Sequence, residues 1–140
     1  MIAAALALWW RRPWLFLQVV VADFAAQLLS RALKQAIGRE RPSTVFVDPK
    51  PLVHTPHDAS FPSGHAASSF ACATLLAFFA PRAAPALFVL AAGIAWSRVY
   101  VGVHFPLDVL GGAALGVLIA IALRWLVTAR RRSRPATPTG

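Results

Sequence analysis

The chain has 140 residues, of which 58% are hydrophobic and 14% are charged, and its formal net charge is +9 at pH 7. Because about a quarter of the residues in a soluble domain are charged, this composition indicates an integral membrane protein. A membrane-spanning helix needs about 20 mostly apolar residues, so the chain has room for about four or five crossings and none for a separate soluble domain.

The basic residues lie mainly at the ends of apolar segments, at Arg11, Arg12, Arg82, Arg124, Arg130, Arg131, Arg132 and Arg134. Under the positive-inside rule these ends face the cytoplasm, where they also meet anionic lipid headgroups. The charge is therefore interpreted as a topology signal, and nucleic acid is not expected as a partner. The compact chain, rich in alanine and arginine, favours a bacterial cell membrane.

The apolar stretches predict an all-α bundle that spans the membrane with about four full helices, at residues 14–37, 62–79, 84–99 and 106–127. Residues 1–10 are apolar but too few to span, so they are predicted to complete a first helix or to lie at the interface. We expect one membrane-embedded domain over residues 1–128. The basic residues 129–140 are predicted to form a disordered cytoplasmic tail.

Residues 38–60 form a polar connection that holds four of the eleven prolines and three of the five acidic residues. A loop of this length in so small a protein is usually functional or disordered. If the basic ends are cytoplasmic, this loop and the 97–105 turn both emerge on the extracytoplasmic face. His54 and His57 lie in the loop without a third ligand, so a solvated or gating role is favoured over a metal site.

Three groups of polar residues reach that face. They are Lys34 with Arg41 and Pro42; Pro62, Ser63, Gly64 and His65; and Ser97 and Arg98 with His104 and Asp108. Ionisable residues at a membrane edge are costly and suggest function. Lys34, Arg41 and Arg98 would repel one another in one pocket unless an anion joined them, and the arginine fork fits phosphate oxygens.

The Pro-Ser-Gly-His stretch is predicted to begin a helix, with Pro62 at an early helical position. The backbone N–H groups of Ser63, Gly64 and His65 would then form an anion site, although Ser63 alone is equally well explained as a helix cap. His104 and Asp108 are four residues apart, so on a helical turn the carboxylate can orient the imidazole for attack.

In order and spacing, the three groups resemble the signature of the type 2 phosphatidic acid phosphatase (PAP2) family, in its membrane lipid phosphatase branch. Vanadium haloperoxidases share this signature. The resemblance covers about residues 34 to 112. It implies hydrolysis of a lipid phosphate or a polyprenyl diphosphate, without a metal or another cofactor.

The resemblance also implies a role for each site residue. His104 would attack phosphorus to form a phosphohistidine, Asp108 would orient His104, and His65 would protonate the leaving group. The phosphate oxygens would be held by Lys34, Arg41, Ser63, Gly64 and Arg98. Members of the membrane branch usually have about six helices, so a shorter version of the fold is expected here.

Two other functions remain open at this point. A vanadate-dependent haloperoxidase would use the same pocket, but those proteins are soluble and much longer. A non-catalytic protein could bind or transport a phosphorylated lipid, although the presence of His65, His104 and Asp108 together argues against it. The spacing of Gly112 and Gly116 is explained by close packing within the bundle, so the oligomeric state stays undetermined.

Overall fold

The computed structural model describes residues 11–46, 51–54 and 56–132. Within these ranges all regular structure is helical, which confirms the all-α prediction. The elements are α1 (Pro13–Ile37), the single turn α2 (Pro42–Val45), α3 (Gly64–Phe79), a 3₁₀ turn (Pro81–Ala83), α4 (Ala84–Tyr100) and α5 (Pro106–Arg132). The predicted apolar segment at 1–10 and residues 133–140 of the predicted tail lie outside the described residues.

Three of the four predicted spans are long and apolar enough to cross a membrane: α1, α4 taken together with the 3₁₀ turn before it, and α5. The exception is α3, which has 16 residues and a length of about 24 Å, whereas a hydrocarbon core is about 30 Å thick. It begins two residues later than predicted because Ser63 has an extended backbone. Pro62 therefore lies before the helix, not in its first turn.

The last helix is longer than predicted. It continues to Arg132, so residues 129–132 of the predicted tail are helical. No proline or glycine interrupts the chain between Gly116 and Pro135, and the helix therefore has no breaker at the point where the apolar run ends.

The core lies around α3, which packs against α1, α4 and α5. Its centre consists of small side chains with one leucine, all fully buried: Ala22, Ala26, Ala67, Ala71, Leu75 and Ala120. In lipid, where apolar burial gives little drive for helix association, small residues stabilise a bundle by letting backbones approach closely. Because α3 is enclosed by three longer helices, it needs no full membrane-spanning length of its own.

Two glycines of α5 bring that helix into contact with α3. A Cβ atom at Gly112 would overlap the carbonyl oxygen of Ser63, and one at Gly116 would overlap that of Ala67. Close packing inside the bundle therefore explains their four-residue spacing. The contact at Gly112 also fixes the start of α5 against the residue that precedes α3.

The antiparallel arrangement gathers the polar segments at one end of the bundle. There, α1 ends at Gly38, whose φ of 64° and whose N–H bond to the Lys34 carbonyl reverse the chain. Near the opposite end, the guanidinium of Arg124 lies 4.9 Å from the centre of the Phe79 ring. The 38–60 loop and the 101–105 turn consequently lie at the same end, as the sequence predicts.

We expect Gly116→Ala to destabilise the bundle, because the added methyl group meets α3 backbone that cannot move aside. Overpacking of this kind costs about 1–3 kcal/mol. The matched control is Gly93→Ala in α4, where a Cβ would have no neighbour within 4 Å. Unfolding of both variants in detergent, followed by circular dichroism, tests the prediction, and equal midpoints would contradict it.

Candidate active site

A carboxylate from the long loop joins two of the three predicted cations. Asp58 Oδ2 lies 2.6 Å from Lys34 Nζ and Asp58 Oδ1 lies 2.6 Å from Arg41 Nη2. The two cations are buried, with side chains 10% and 4% exposed, whereas the Asp58 side chain is 50% exposed. Burial alone would raise the pKa of Asp58, but the hydrogen bonds from Lys34 and Arg41 outweigh it and lower that pKa.

Arg41 also ties the loop to the turn that precedes α5. Its Nε donates to the Asp58 carbonyl and its Nη1 donates to the Val103 carbonyl, both at 2.8 Å. Because Val103 is followed directly by His104, this bond brings the guanidinium beside the imidazole. Arg41 therefore has two kinds of partner, backbone carbonyls that fix its position and the Asp58 carboxylate that neutralises its charge.

His104 lies in a tight turn between α4 and α5. The backbone N–H groups of Val103 and His104 both donate to the Arg98 carbonyl at 3.2 Å. Gly102 makes the reversal possible, because its φ of 77° is a conformation that favours glycine. The turn places His104, which is 5% exposed, at the same end of the bundle as Lys34 and Arg41.

Asp108 lies in the first turn of α5 and is completely buried. The spacing places it on the same side as His104, with Asp108 Oδ2 3.6 Å from His104 Nδ1. That separation is too long for a hydrogen bond, and Nδ1 has no partner among the described residues. The carboxylate instead accepts hydrogen bonds from Arg39 Nη1 at 3.0 Å, from Phe105 N at 2.8 Å and from the Ser60 hydroxyl.

The electrostatic surroundings of His104 favour its neutral form. Burial lowers the pKa of His104 to about 4, and the positive charges of Arg41 and Lys34 act in the same direction. The nearby Asp108 carboxylate opposes this shift but does not overcome it. A neutral imidazole is the form that carries a lone pair for nucleophilic attack.

The Pro-Ser-Gly-His stretch is held in place by backbone contacts to two helices. The N–H of Ser63 donates to the Asp108 carbonyl at 2.9 Å, and the Ser30 hydroxyl donates to the Pro62 carbonyl at 3.3 Å. The N–H of Ser63 is therefore not available to an anion, contrary to the sequence prediction. The N–H groups in the first turn of α3, including those of Gly64 and His65, have no intrahelical acceptor.

Ser63 is the N-terminal capping residue of α3 by position, but its hydroxyl makes no capping hydrogen bond. The hydroxyl oxygen is fully buried and has no partner among the described residues. Such a buried, unsatisfied hydroxyl is costly and calls for an explanation. A ligand oxygen at the start of α3 would provide the missing partner.

His65 and Arg98 are the remaining residues of the predicted site. His65 is exposed on the first turn of α3, and Arg98 and Lys34 are the cations that act on it electrostatically. The Arg98 guanidinium donates to the Ser97 hydroxyl at 3.1 Å and 3.2 Å. Within the part of the chain that the structure describes, Arg98 forms no ion pair.

Three residues of this end were not singled out in the sequence: Arg39, Asp58 and Ser60. Arg39 lies between Lys34 and Arg41, and Ser60 lies two residues before Pro62, so both are beside recognised groups. In the sequence, Asp58 is one of three acidic residues of the loop. Their partners are 17 to 69 positions away along the chain, and spacing alone does not reveal such contacts.

The same end of the bundle also contains a cleft and a contact between two histidine rings. A cleft of about 530 Å³ opens beside Asp58 and is lined in part by Ser43, Thr44, Pro56 and His57. The rings of His54 and His57 meet edge to face at 6.1 Å. Among the described residues, no group of three or more His, Cys, Asp or Glu side chains is placed to hold a metal ion.

A larger groove of about 630 Å³ lies between α1 and α5 and is lined by Trp14, Leu17, Gln18, Val21, Leu123, Val127 and Arg130. These residues belong to the opposite end of both helices. The groove is mainly apolar and contains none of the predicted site residues, so it is not the site of the predicted chemistry.

Comparison with known proteins supports the resemblance seen in the sequence. The profile of the PAP2 superfamily matches residues 14–132. The chain belongs to the PAP2 superfamily.

The PAP2 chain is 36% identical over 121 residues to phosphatidylglycerophosphatase B of Bacillus subtilis, covering 79% of this chain and 57% of the relative. It is 43% identical over 102 residues to decaprenylphosphoryl-5-phosphoribose phosphatase of Mycolicibacterium smegmatis, covering 73% of this chain and 53% of the relative. The chain thus spans about half the length of the curated relatives it matches.

The fold is similar to the crystal structure of a transmembrane PAP2 type phosphatidylglycerolphosphate phosphatase from Bacillus subtilis, with a TM-score of 0.72 and 30% identity. The match covers 95% of this PAP2 chain and 69% of the other chain. Together with the three long apolar helices, this similarity identifies a multi-pass membrane protein.

The lowered pKa of His104 predicts a pH dependence of stability in this PAP2 chain. Between pH 6.5, the ordinary value, and about 4, the unfolded chain binds a proton at His104 that the folded chain does not. The contribution of His104 to stability is therefore fully present above pH 6.5 and is lost as pH falls toward about 4.

His104→Gln should accordingly flatten the fall in unfolding free energy over this window. Denaturant unfolding in detergent at a series of pH values measures it, with His54→Gln in the exposed loop as the control. An unchanged pH profile in His104→Gln would show that His104 is not held in its neutral form.

Proposed function

We propose that this PAP2 chain is a membrane phosphatase that hydrolyses a lipid phosphate or a polyprenyl diphosphate through a phosphohistidine. The catalytic residues are His104, Asp108 and His65. The phosphate oxygens are bound by Lys34, Arg41, Ser63, Gly64 and Arg98. The reaction needs no metal, and the site opens on the extracytoplasmic face because the basic helix ends lie at the other end of the bundle.

The observation that supports this proposal most directly is that two of the predicted phosphate-binding cations already bind a carboxylate of the protein. The carboxylate of Asp58 lies between Lys34 and Arg41 and contacts both at 2.6 Å. Two buried cations that hold a half-exposed carboxylate are arranged to bind an external anion of similar geometry. A phosphate suits this place because its oxygens accept bidentate and point-charge contacts together.

The first chemical step uses His104 as nucleophile. Its Nδ1 faces Asp108, so Nε2, on the other side of the ring, carries the lone pair that forms the N–P bond. As that bond forms, the bond from phosphorus to the leaving oxygen breaks, and its electrons stay on that oxygen. His65 in its protonated form gives the leaving oxygen a proton. The imidazole of His104 becomes cationic, and Asp108 stabilises it.

The second step reverses these roles. A water molecule gives a proton to His65, now neutral, and its oxygen attacks phosphorus as the N–P bond breaks. Inorganic phosphate leaves and the His104 lone pair is restored. Throughout, the cations and the first-turn N–H groups of α3 stabilise the charge on the phosphate oxygens, and this is the main contribution that phosphoryl transfer requires of a protein.

Purified protein in detergent should release phosphate from a panel of phosphatidate, phosphatidylglycerophosphate and undecaprenyl diphosphate in the presence of EDTA. His104→Ala should lower kcat by about a thousandfold or more, because the nucleophile is removed. His54→Ala removes a histidine from the loop outside the catalytic set and serves as the control. Full activity in His104→Ala would overturn the mechanism.

The same lipid panel also distinguishes a phosphatase from the two alternative functions. A protein that only binds or transports lipid would retain labelled lipid without releasing phosphate or forming an acid-labile phosphoprotein. A haloperoxidase would halogenate a test substrate only after vanadate is added. Phosphate release together with a labelled His104, identified by peptide mapping, would exclude both.

A second prediction concerns Asp58, because an incoming phosphate has to displace its carboxylate. If Asp58 competes with the ligand, Asp58→Asn should tighten inhibition by inorganic phosphate or vanadate by about threefold to tenfold, since apparent affinity scales with the fraction of competent sites. Asp23→Asn removes the same charge from α1 at a point about 16 Å along the helix from Lys34, and is the matched control.

Inhibition constants measured at fixed pH and ionic strength decide the outcome. Weaker inhibition of Asp58→Asn than of wild type would mean that Asp58 helps to hold the ligand. An equal gain in Asp23→Asn would mean that the effect is long-range electrostatics and not release of the site.

A further inference from the structure

The carboxylate of Asp108 is completely buried, so the free energy of its charge depends on its protein partners. A buried carboxylate is stable in its ionised form only where donors and a counter-charge replace water. His104 does not fill this role in the structure, because its Nδ1 lies 3.6 Å from Asp108 and its neutral form is favoured. Besides the N–H of Phe105, the partners that do are the side chains of Arg39 and Ser60, neither of which belongs to the matched signature.

Arg39 supplies the counter-charge. Its Nη1 donates to Asp108 Oδ1 at 3.0 Å, and its guanidinium lies 4.7 Å from the centre of the Phe105 ring. The contact with the ring restricts the guanidinium, and the side chain is 35% exposed. Arg39 thus reaches the buried carboxylate from a position that is still partly open to solvent.

Ser60 supplies a neutral donor to the other oxygen of the Asp108 carboxylate. It is completely buried, its hydroxyl donates to Asp108 Oδ2, and its N–H donates to the Arg39 carbonyl at 2.7 Å. The two residues are therefore joined to each other by backbone and to Asp108 by side chains. A shift of either one changes the position of the carboxylate.

We propose that Arg39 and Ser60 are positioning residues that hold the Asp108 carboxylate turned toward His104. This inference rests on the proposed function, in which Asp108 stabilises the cationic imidazole of the phosphohistidine. The different contacts of the two Asp108 carboxylate oxygens support this positioning role. Arg39 occupies Oδ1, whereas Oδ2, which accepts from Ser60 and Phe105 N, is the oxygen nearest to His104 Nδ1.

The same geometry separates this role from direct phosphate binding. Lys34 and Arg41 are joined to Asp58, whose carboxylate lies where a ligand would bind, whereas Arg39 is joined to the catalytic carboxylate. Without Arg39, the buried carboxylate would lose its counter-charge and one of the hydrogen bonds that fix it. It would then no longer be held facing the cationic imidazole. The defect should therefore be one of kcat, not of substrate affinity.

The test compares Arg39→Met, Arg39→Lys and Ser60→Ala with wild type on the best substrate of the lipid panel. We expect Arg39→Met to lower kcat by about tenfold to a hundredfold, as loss of an orienting partner does elsewhere, and to change KM by less than about threefold. Arg39→Lys, which keeps the charge, should recover most of the lost kcat.

Arg31→Met is the matched control, because Arg31 is an exposed arginine of α1 outside the site. Ser60→Ala keeps the charge of Arg39 and should give a smaller fall in kcat, again with little change in KM. Circular dichroism and thermal midpoints in detergent identify any variant that fails to fold. If Arg39→Met does not fold, Ser60→Ala and Arg39→Lys still decide the question, because a positioning role lowers kcat and a substrate-binding role raises KM.

A raised KM with unchanged kcat in Arg39→Met would overturn the proposal and make Arg39 a substrate-binding cation. Wild-type kinetics in both Arg39→Met and Ser60→Ala would overturn it as well. These outcomes are distinct from failure of the proposed function, in which wild type itself would release no phosphate or His104→Ala would remain active.

Discussion

Asp108 has no contact with solvent, and its oxygens accept hydrogen bonds from three of the segments that form the site. The carbonyl oxygen accepts from Ser63, at the start of α3. The carboxylate accepts from Arg39 and Ser60, at the two ends of the long loop, and from the backbone of the turn that carries His104. Because a buried carboxylate is stable only with such partners, this one residue determines how the loop, the turn and α3 are arranged relative to one another.

The bundle provides the rigid support that this arrangement needs. Gly112 lies one helical turn after Asp108, and its missing side chain lets α5 contact the Ser63 backbone directly. One turn further, Gly116 makes the same kind of contact with Ala67. The N–H bond from Ser63 to Asp108 therefore lies at the end of a close α3–α5 interface. Packing in the membrane and polar contacts at its edge are thus parts of one structure.

The apolar runs and the spacing of the polar groups were sufficient to predict the helices and the end of the bundle at which the site residues meet. Periodicity and composition act over short distances, and the fold here follows them closely. They did not predict that α3 is only 16 residues long, because its enclosure by three other helices is a tertiary property. Nor did they predict that the Ser63 N–H is used by Asp108.

Arg39, Asp58 and Ser60 could not be found from spacing for a related reason. Each acts on a partner that the chain reaches only after folding, and a polar loop offers many residues with the same chemistry. The loop also contains the acidic residues Glu40 and Asp48, but Asp58 alone among the described acidic residues pairs with Lys34 and Arg41. To identify which acidic residue of the loop pairs with the site, the folded path of the loop has to be known.

The balance of charge at this end follows from these contacts. Four cations, Lys34, Arg39, Arg41 and Arg98, lie there with two carboxylates that three of them contact, Asp58 and Asp108. Asp108 is buried with its partners, whereas Asp58 is half exposed on a loop. In the proposed function, a phosphate dianion in place of the Asp58 carboxylate pairs with Lys34 and Arg41 and still meets the charge of Arg98. One carboxylate is then fixed for catalysis, and the other neutralises buried cations until a substrate binds.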